Sequence, residues 1–420
     1  MQKIKKSLDT DLSYQNNWLL IAGLTGFFVL VKLGYIFLMT RRGVALPFPY
    51  DSYLFDPFHR YTDWLIPLAW SHEVNPWSTT SQLSSALPPC PYGPLTFWIL
   101  KLSSFMGNLL PFVLMVLGYI YMCYKIFSKT MINSDFSIEI VSIVFILLII
   151  SFYPLHFLVD RGNTDIMGCL IIAILSYTVI RSDKKNPYLI IEFCIIALIA
   201  LKPTWALLYL SSFFLSRYSF IRIGFVSALI YSIPLMGRHV VYIDYYLSAK
   251  NAVQVMTGAI NFQNDLFAGI QVLSSMYLGI VAPSIVVSIQ VWLGLLYCIV
   301  GLIYLYYYAN KNVAFLFVLF HLILCILMFN RPSPDYRLVA LLPLWMAITY
   351  YGMMSVNNRK YIYFLSVLFS VIVSWLNFYD PVTGYSIVVP MRSFSLLIIS
   401  IYTTFFISRN VLEVNSMIRC

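Results

Sequence analysis

"WLLIAGLTGFFVLVKLGYIFLM", residues 18–39, decides the fold. Lys32 is its only charge. About 20 apolar residues at a rise of 1.5 Å cross the hydrocarbon of a bilayer, so this run reads as a transmembrane helix. It is too long and begins too late for a cleaved signal peptide, and it lacks a small-residue cleavage site. It therefore predicts a retained first span behind a short basic tail bearing Lys3, Lys5 and Lys6.

Runs of this kind recur along the chain. A length of 420 residues would ordinarily suggest about two or three soluble domains. Here 60% of residues are hydrophobic, only 10% are charged and the mean hydropathy is +0.80, which excludes that class. Helices are the expected element, because lipid offers no partner to a backbone N–H or C=O. Apolar runs predict about twelve crossings: 18–39, one within 92–127, 138–158, 164–180, 188–201, 203–216, 221–236, 283–309, 312–329, 336–354, 361–378 and 391–408. Residues 92–127 are too long for one simple helix, and 266–282 read as a half-helix at the surface.

The net charge of +10 does not point to nucleic acid, because the basic residues are scattered among loops. Membrane topology accounts for them better. Placing the N-terminus in the cytoplasm puts the larger share of Lys and Arg inside. Most acids then fall outside, among them Asp51, Asp56, Asp63, Asp160, Asp165 and Asp335. The chain is thus expected to be a single integral membrane domain, 1–420. It has cytoplasmic tails at 1–17 and 409–420 and long outer loops at 40–91 and 237–265. Loops of that length in a compact bundle are usually functional. Of seven cysteines, only Cys90 lies in a long loop, and the spacing shows neither a disulfide framework nor a metal pattern.

Four outer stretches carry the chemistry. The first, "PYDSYLFDPFHRYTDWLIPL" (49–68), holds Asp51, Asp56, His59, Arg60 and Asp63. Trp64, Leu65, Pro67, Leu68, Ala69 and Trp70 predict a short amphipathic helix in the membrane interface, with Asp63 at its start. The local alternative for Asp63 is a helix N-cap; for Asp51 and Asp56 it is turn formation. "DRGNTD" (160–165) places Arg161 and Asn163 at the outer surface. A guanidinium suits a phosphate, and an ion pair with Asp160 or Asp165 is the alternative. In "ALKPTWALL" (200–208), Lys202 interrupts apolar sequence, where a charge usually has a partner or a task unless it snorkels. "FNRPSPDYRLVALLP" (329–343) sets Arg331 and Arg337 around two prolines, converging on one anion or anchoring the interface. One acidic loop and three cationic turns on one face suit a reaction on an anionic lipid.

These residues resemble the GT-C superfamily of membrane glycosyltransferases, most of all its polyprenyl-phosphate-mannose-dependent mannosyltransferase branch and bacterial relatives. The likeness rests on Asp63 followed by Trp64, Leu65 and Ala69; on Tyr92, Pro94 and Leu95; on Arg161, Gly162 and Asn163; and on Leu201, Lys202, Pro203 and Thr204. Ser333, Pro334, Leu341, Leu342 and Pro343 match less well, and Asp335, Tyr336 and Arg337 stand where that family often has histidine.

The resemblance implies an all-α polytopic bundle with its active site on the outer face of the inner membrane. Asp63 is the implied catalytic residue, in an inverting transfer of a sugar, mannose among the candidates, from a polyprenyl-phosphate donor to a lipid-linked or surface-glycan acceptor. Arg161, Lys202, Arg331 and Arg337 are expected to hold the donor phosphate. Asp51, Asp56, His59, Arg60, Tyr92 and Asn163 are expected to line the substrate site. No metal or cofactor and no nucleic-acid partner is expected. A surface-polysaccharide polymerase or ligase and a lipid or solute transporter are the competing readings. Against the first stand the acidic first loop and the Arg-Gly-Asn turn. Against the second stand the absence of a repeat and the charges at the surface rather than mid-span.

Overall fold

The computed structural model describes residues 2–43, 61–78, 92–131, 137–181, 188–232, 244, 247, 265–278, 284–308, 311–329, 335–374, 378, 386 and 388–411. Among these every regular element is helical, as the apolar composition requires. Among the described residues four helices are long and apolar enough to cross a membrane: Ser13–Arg41, Leu110–Met131, Ile289–Tyr307 and Val388–Val411. A fifth span forms if Ile138–Ser151 and Tyr153–Arg161, bent by 58°, count as one. Five further apolar helices have only 10–17 residues.

In chain order the first elements are α1 (Gln2–Arg41), α2 (Thr62–Trp70), α3 (Pro94–Ser103), α4 (Leu110–Met131), α5 (Ile138–Ser151), α6 (Tyr153–Arg161), α7 (Asp165–Arg181) and α8 (Tyr188–Leu201). A 3-10 segment, Pro203–Phe214, leads to α9 (Arg217–Ser232). Then follow α10 (Leu266–Leu278), α11 (Ser284–Tyr308), α12 (Lys311–Phe329), a 3-10 turn at Asp335–Ala340, α13 (Leu341–Met353), α14 (Arg359–Val373) and α15 (Val388–Ile401) with a π-helical end, Tyr402–Ile407. α12 is the central post. Its residues from Ala314 to Met328 are all buried, and it packs against α11, α13, α15 and the 203–214 segment. α1, α4, α5 and α11 instead present Phe27, Leu30, Leu117, Ile146, Trp292 and Leu296 to the outside. Apolar groups on the outer surface are what lipid contact demands.

Two breaks position the functional side chains. At Phe152 the chain turns from α5 into α6, whose first turn contains Pro154. A proline there has no N–H to continue the preceding ladder, so the helix bends. α6 ends at Gly162, whose φ of 63° is left-handed. There the Asn163 N–H returns to the Leu158 carbonyl at 3.0 Å, a helix ending that glycine suits. A Cβ on Gly162 would also stand 2.7 Å from Tyr61 Cα. The Tyr61 N–H bonds the Asp160 carbonyl at 3.0 Å, so the entry to α2 is docked on this turn.

The second break is at Lys202, which is extended (φ −157°, ψ 131°) ahead of Pro203. The Leu201 carbonyl, freed there, accepts from Gly93 N–H and from Thr96 Oγ1, both at 2.7 Å. The start of α3 is thereby tied to the end of α8.

One expectation changes, and two stretches gain detail. α2 exists, but its tryptophans do not anchor it in an interface. Trp64 and Trp70 are buried in the protein, and Trp64 Nε1 donates to the Asn108 carbonyl at 2.7 Å. Amphipathic patterning cannot tell lipid from protein as the apolar neighbour. The 92–127 region, too long for one simple helix, resolves into α3, a short 3-10 turn (Ser104–Met106) and α4. Within 266–282, α10 is packed on α15 with Phe267, Ala268 and Val272 buried, while Ile270 and Tyr277 stay exposed.

The close approach at Gly93 gives a direct test. A methyl group there would overlap the Ala200 carbonyl and sit 2.8 Å from Tyr231 Oη. Gly93→Ala is expected to destabilise the protein by about 1–3 kcal/mol, as overpacking does. Gly118→Ala, where the nearest atom is 3.6 Å away, should be neutral or gain up to about 1 kcal/mol of helix propensity. Thermal unfolding of both variants in detergent checks this, and equal midpoints would contradict the docking of α3 on α8.

Candidate active site

The two docked turns bring residues from four distant parts of the chain together. Asp63, in the first turn of α2, faces the α6–α7 turn. Its Oδ1 accepts from Arg161 Nη2 at 3.0 Å, and its Oδ2 from Asn163 Nδ2 at 2.8 Å. Asn163 is the bridge to a second layer, because its Oδ1 accepts the Asp165 backbone N–H at 2.9 Å and so satisfies an open donor of α7. The Asp165 carboxylate then meets Lys202 Nζ at 2.8 Å through Oδ1 and Arg337 Nε at 3.5 Å through Oδ2. Arg337 arrives on the 335–340 turn, which packs against α6 and α7. The Tyr92 ring lies 5.0 Å from Lys202 Nζ, close enough for a cation–π contact.

The layers differ in access. The Asp63 and Arg161 side chains keep 20% and 23% of their surface, whereas Asp165, Lys202 and Arg337 keep 8% or less. The open pair can meet a substrate. The buried trio can hold the turn under it rigid, because Asp165 pairs with both cations and its removal would leave two like charges uncompensated in a low-dielectric setting.

A cleft of about 160 Å³ opens beside α2 and α3, lined among others by Glu73, Asn75, Trp77, Trp98 and Lys101. Trp77 Nε1 bonds the Tyr92 carbonyl at 2.9 Å, which links this cleft to the layer below Asp63. Asn75 Nδ2 donates to Asp244 Oδ2 at 2.7 Å, joining the first loop to the 237–265 region.

Of the residues expected from sequence, Asp63, Arg161, Asn163, Lys202, Arg337 and Tyr92 fall in one cluster. Asp51, Asp56, His59, Arg60 and Arg331 lie outside the described residues. The local alternatives for three residues are overturned. Asp63 does not cap α2, because Tyr61 occupies that position and the carboxylate is turned to Arg161. Arg161 pairs with Asp63 rather than with Asp160 or Asp165. Lys202 does not snorkel to an interface but is buried against Asp165. The residue missed is Asp165, the hub of the lower layer. Its signal was a lone carboxylate at the head of an apolar run, Ile166 to Ile180.

Comparison with protein-family models, with curated proteins and with solved structures finds no match.

The layers should respond differently to truncation. Asp165→Ala strands Lys202 and Arg337 and is expected to cost about 3–5 kcal/mol of stability. Arg161→Met breaks a partly solvated pair, worth at most about 1 kcal/mol, and should leave folding nearly intact. Thermal melts that show the reverse order would contradict the division into a rigid base and an open rim.

Proposed function

We propose that this protein is an integral membrane glycosyltransferase of GT-C type that takes its sugar from a polyprenyl-phosphate donor. The observation that supports this best is the convergence of Asp63, Arg161 and Asn163 above the buried Asp165–Lys202–Arg337 trio. A carboxylate and a guanidinium at an open rim are the two groups that a transfer from a lipid phosphate needs.

In the proposed reaction a hydroxyl of the acceptor, a lipid-linked or surface glycan, attacks the anomeric carbon. The bond from that carbon to the phosphate oxygen breaks, and the electron pair leaves with polyprenyl phosphate. Asp63 takes the hydroxyl proton, as a general base within reach of the acceptor. Single displacement inverts the anomeric centre. Arg161 shares its planar fork between Asp63 and the leaving phosphate, which stabilises the growing negative charge. Lys202 and Arg337 act chiefly through Asp165, holding the turn on which Arg161 and Asn163 stand. The aromatic cleft of Trp77 and Trp98, with Glu73 and Lys101, offers flat apolar faces and polar groups to a sugar.

This reading takes the short apolar helices as completing about twelve crossings, with both termini cytoplasmic and the Asp63 cluster on the outer face of the inner membrane. The proposed chemistry uses no metal ion and no cofactor.

The test is transfer by the purified full-length protein from a panel of polyprenyl-phosphate sugars, mannose included, with Asp63→Asn beside the wild type. The asparagine keeps the shape but accepts no proton at neutral pH. The expected loss in kcat is about 100- to 10,000-fold, with an unchanged melt. Transfer from nucleotide sugars alone, or a folded Asp63→Asn at wild-type rate, would overturn the proposal.

A further inference from the structure

A second cluster lies deep between α11, α12 and the π-helical end of α15, and the proposed transfer reaction makes no use of it. Cys298 on α11 and His321 and Cys325 on α12 are all buried, and their ligand atoms lie within 4.8 Å of one another. His321 and Cys325 are four residues apart, so they share one face of α12, and Cys298 meets that face from the neighbouring helix. The imidazole is fixed at both ends. Its Nε2 lies 3.6 Å from Cys325 Sγ and 3.3 Å from the Cys298 carbonyl, while Nδ1 is 3.0 Å from Thr404 Oγ1.

Two features of the helices make room for this arrangement. Gly301 is three residues beyond Cys298, and a Cβ there would overlap the His321 ring. The absence of a side chain at Gly301 is therefore what lets the imidazole enter. Thr404 lies in the π-helical turn Tyr402–Ile407, a local widening often found at functional sites. A histidine with one nitrogen beside the Cys325 sulfur and the other held by a hydroxyl has the outer-shell support common at metal sites.

We propose that Cys298, His321 and Cys325 bind one zinc ion, which clamps α11 to the central helix α12. Sulfur and imidazole are zinc's customary ligands. Charge favours a divalent ion: two thiolates and a neutral imidazole balance Zn²⁺ to zero, whereas Cu⁺ would leave a net negative charge among apolar helices, where charge is costly. Binding displaces the two thiol protons to solvent. This site is independent of the glycosyltransferase reading, and its test does not use activity.

The experiment measures metal content of the full-length protein purified in detergent without chelator. The expected result is one zinc per chain, lost in Cys298→Ser and in Cys325→Ser but retained in Cys123→Ser, a control at another buried cysteine. Chelator-stripped wild type should take up cobalt(II) with a thiolate-to-metal charge-transfer band and should melt higher when zinc is restored, so the wild type alone answers if the variants misfold. Wild type without bound zinc or a cobalt band would overturn the proposal. So would a cystine joining Cys298 to Cys325, or copper in place of zinc.

Discussion

A carboxylate sealed among apolar helices has to be met by cations, and in this protein Asp165 is that carboxylate. Its two oxygens take Lys202 and Arg337, which come from two different breaks in the helical chain. In a low-dielectric interior the separated charges would each carry a desolvation penalty of several kcal/mol. The start of α7, the end of α8 and the 335–340 turn are therefore obliged to meet. Where they meet, they build the floor under Arg161 and Asn163.

The rim above that floor depends on backbone rather than charge. Gly162 permits the left-handed end of α6, and its missing side chain lets Tyr61 approach. The Tyr61 N–H on the Asp160 carbonyl then sets the register of α2, so that Asp63 faces Arg161. Gly93 plays the same part at the Leu201 carbonyl and sets the register of α3. Two close backbone approaches thus fix a site whose charged members come from separate segments, Asp63 and Arg161 lying 98 positions apart and Asp165 and Lys202 37. The open exposure of the Asp63–Arg161 pair and the sealing of the Asp165 trio follow from this stacking, and they separate the group proposed to do chemistry from the groups that hold it.

Much of this was readable in the sequence, for physical reasons. Apolar runs announce helices in lipid, and charged residues at breaks between such runs are costly enough to stand out. Asp63, Arg161, Lys202 and Arg337 stand out in this way, and Asn163 shares the turn of Arg161. Asp165 was not singled out, because an acid heading a helix has an ordinary local explanation and its partner Lys202 lies 37 positions away. The burial of Trp64 and Trp70 was equally hidden, since an apolar face reads the same whether lipid or α3 and α4 cover it. Hydropathy also counts runs without fixing their geometry. The 203–216 run is a 3-10 segment rather than an α-helix, and 138–158 is a bent pair. Cys298, His321 and Cys325 escaped for a similar reason: their proximity depends on α11 packing against α12, and a spacing rule read along one chain segment does not see it.

The proposed transfer requires the Asp63–Arg161 rim to receive a lipid phosphate. The direct measurement is a cryo-electron-microscopy structure of the full-length protein with a polyprenyl phosphate bound. The phosphate is expected within hydrogen-bonding distance of Arg161, beside Asp63. A phosphate seated instead by Arg222, whose guanidinium pairs with Glu192 near the start of α8, would contradict it.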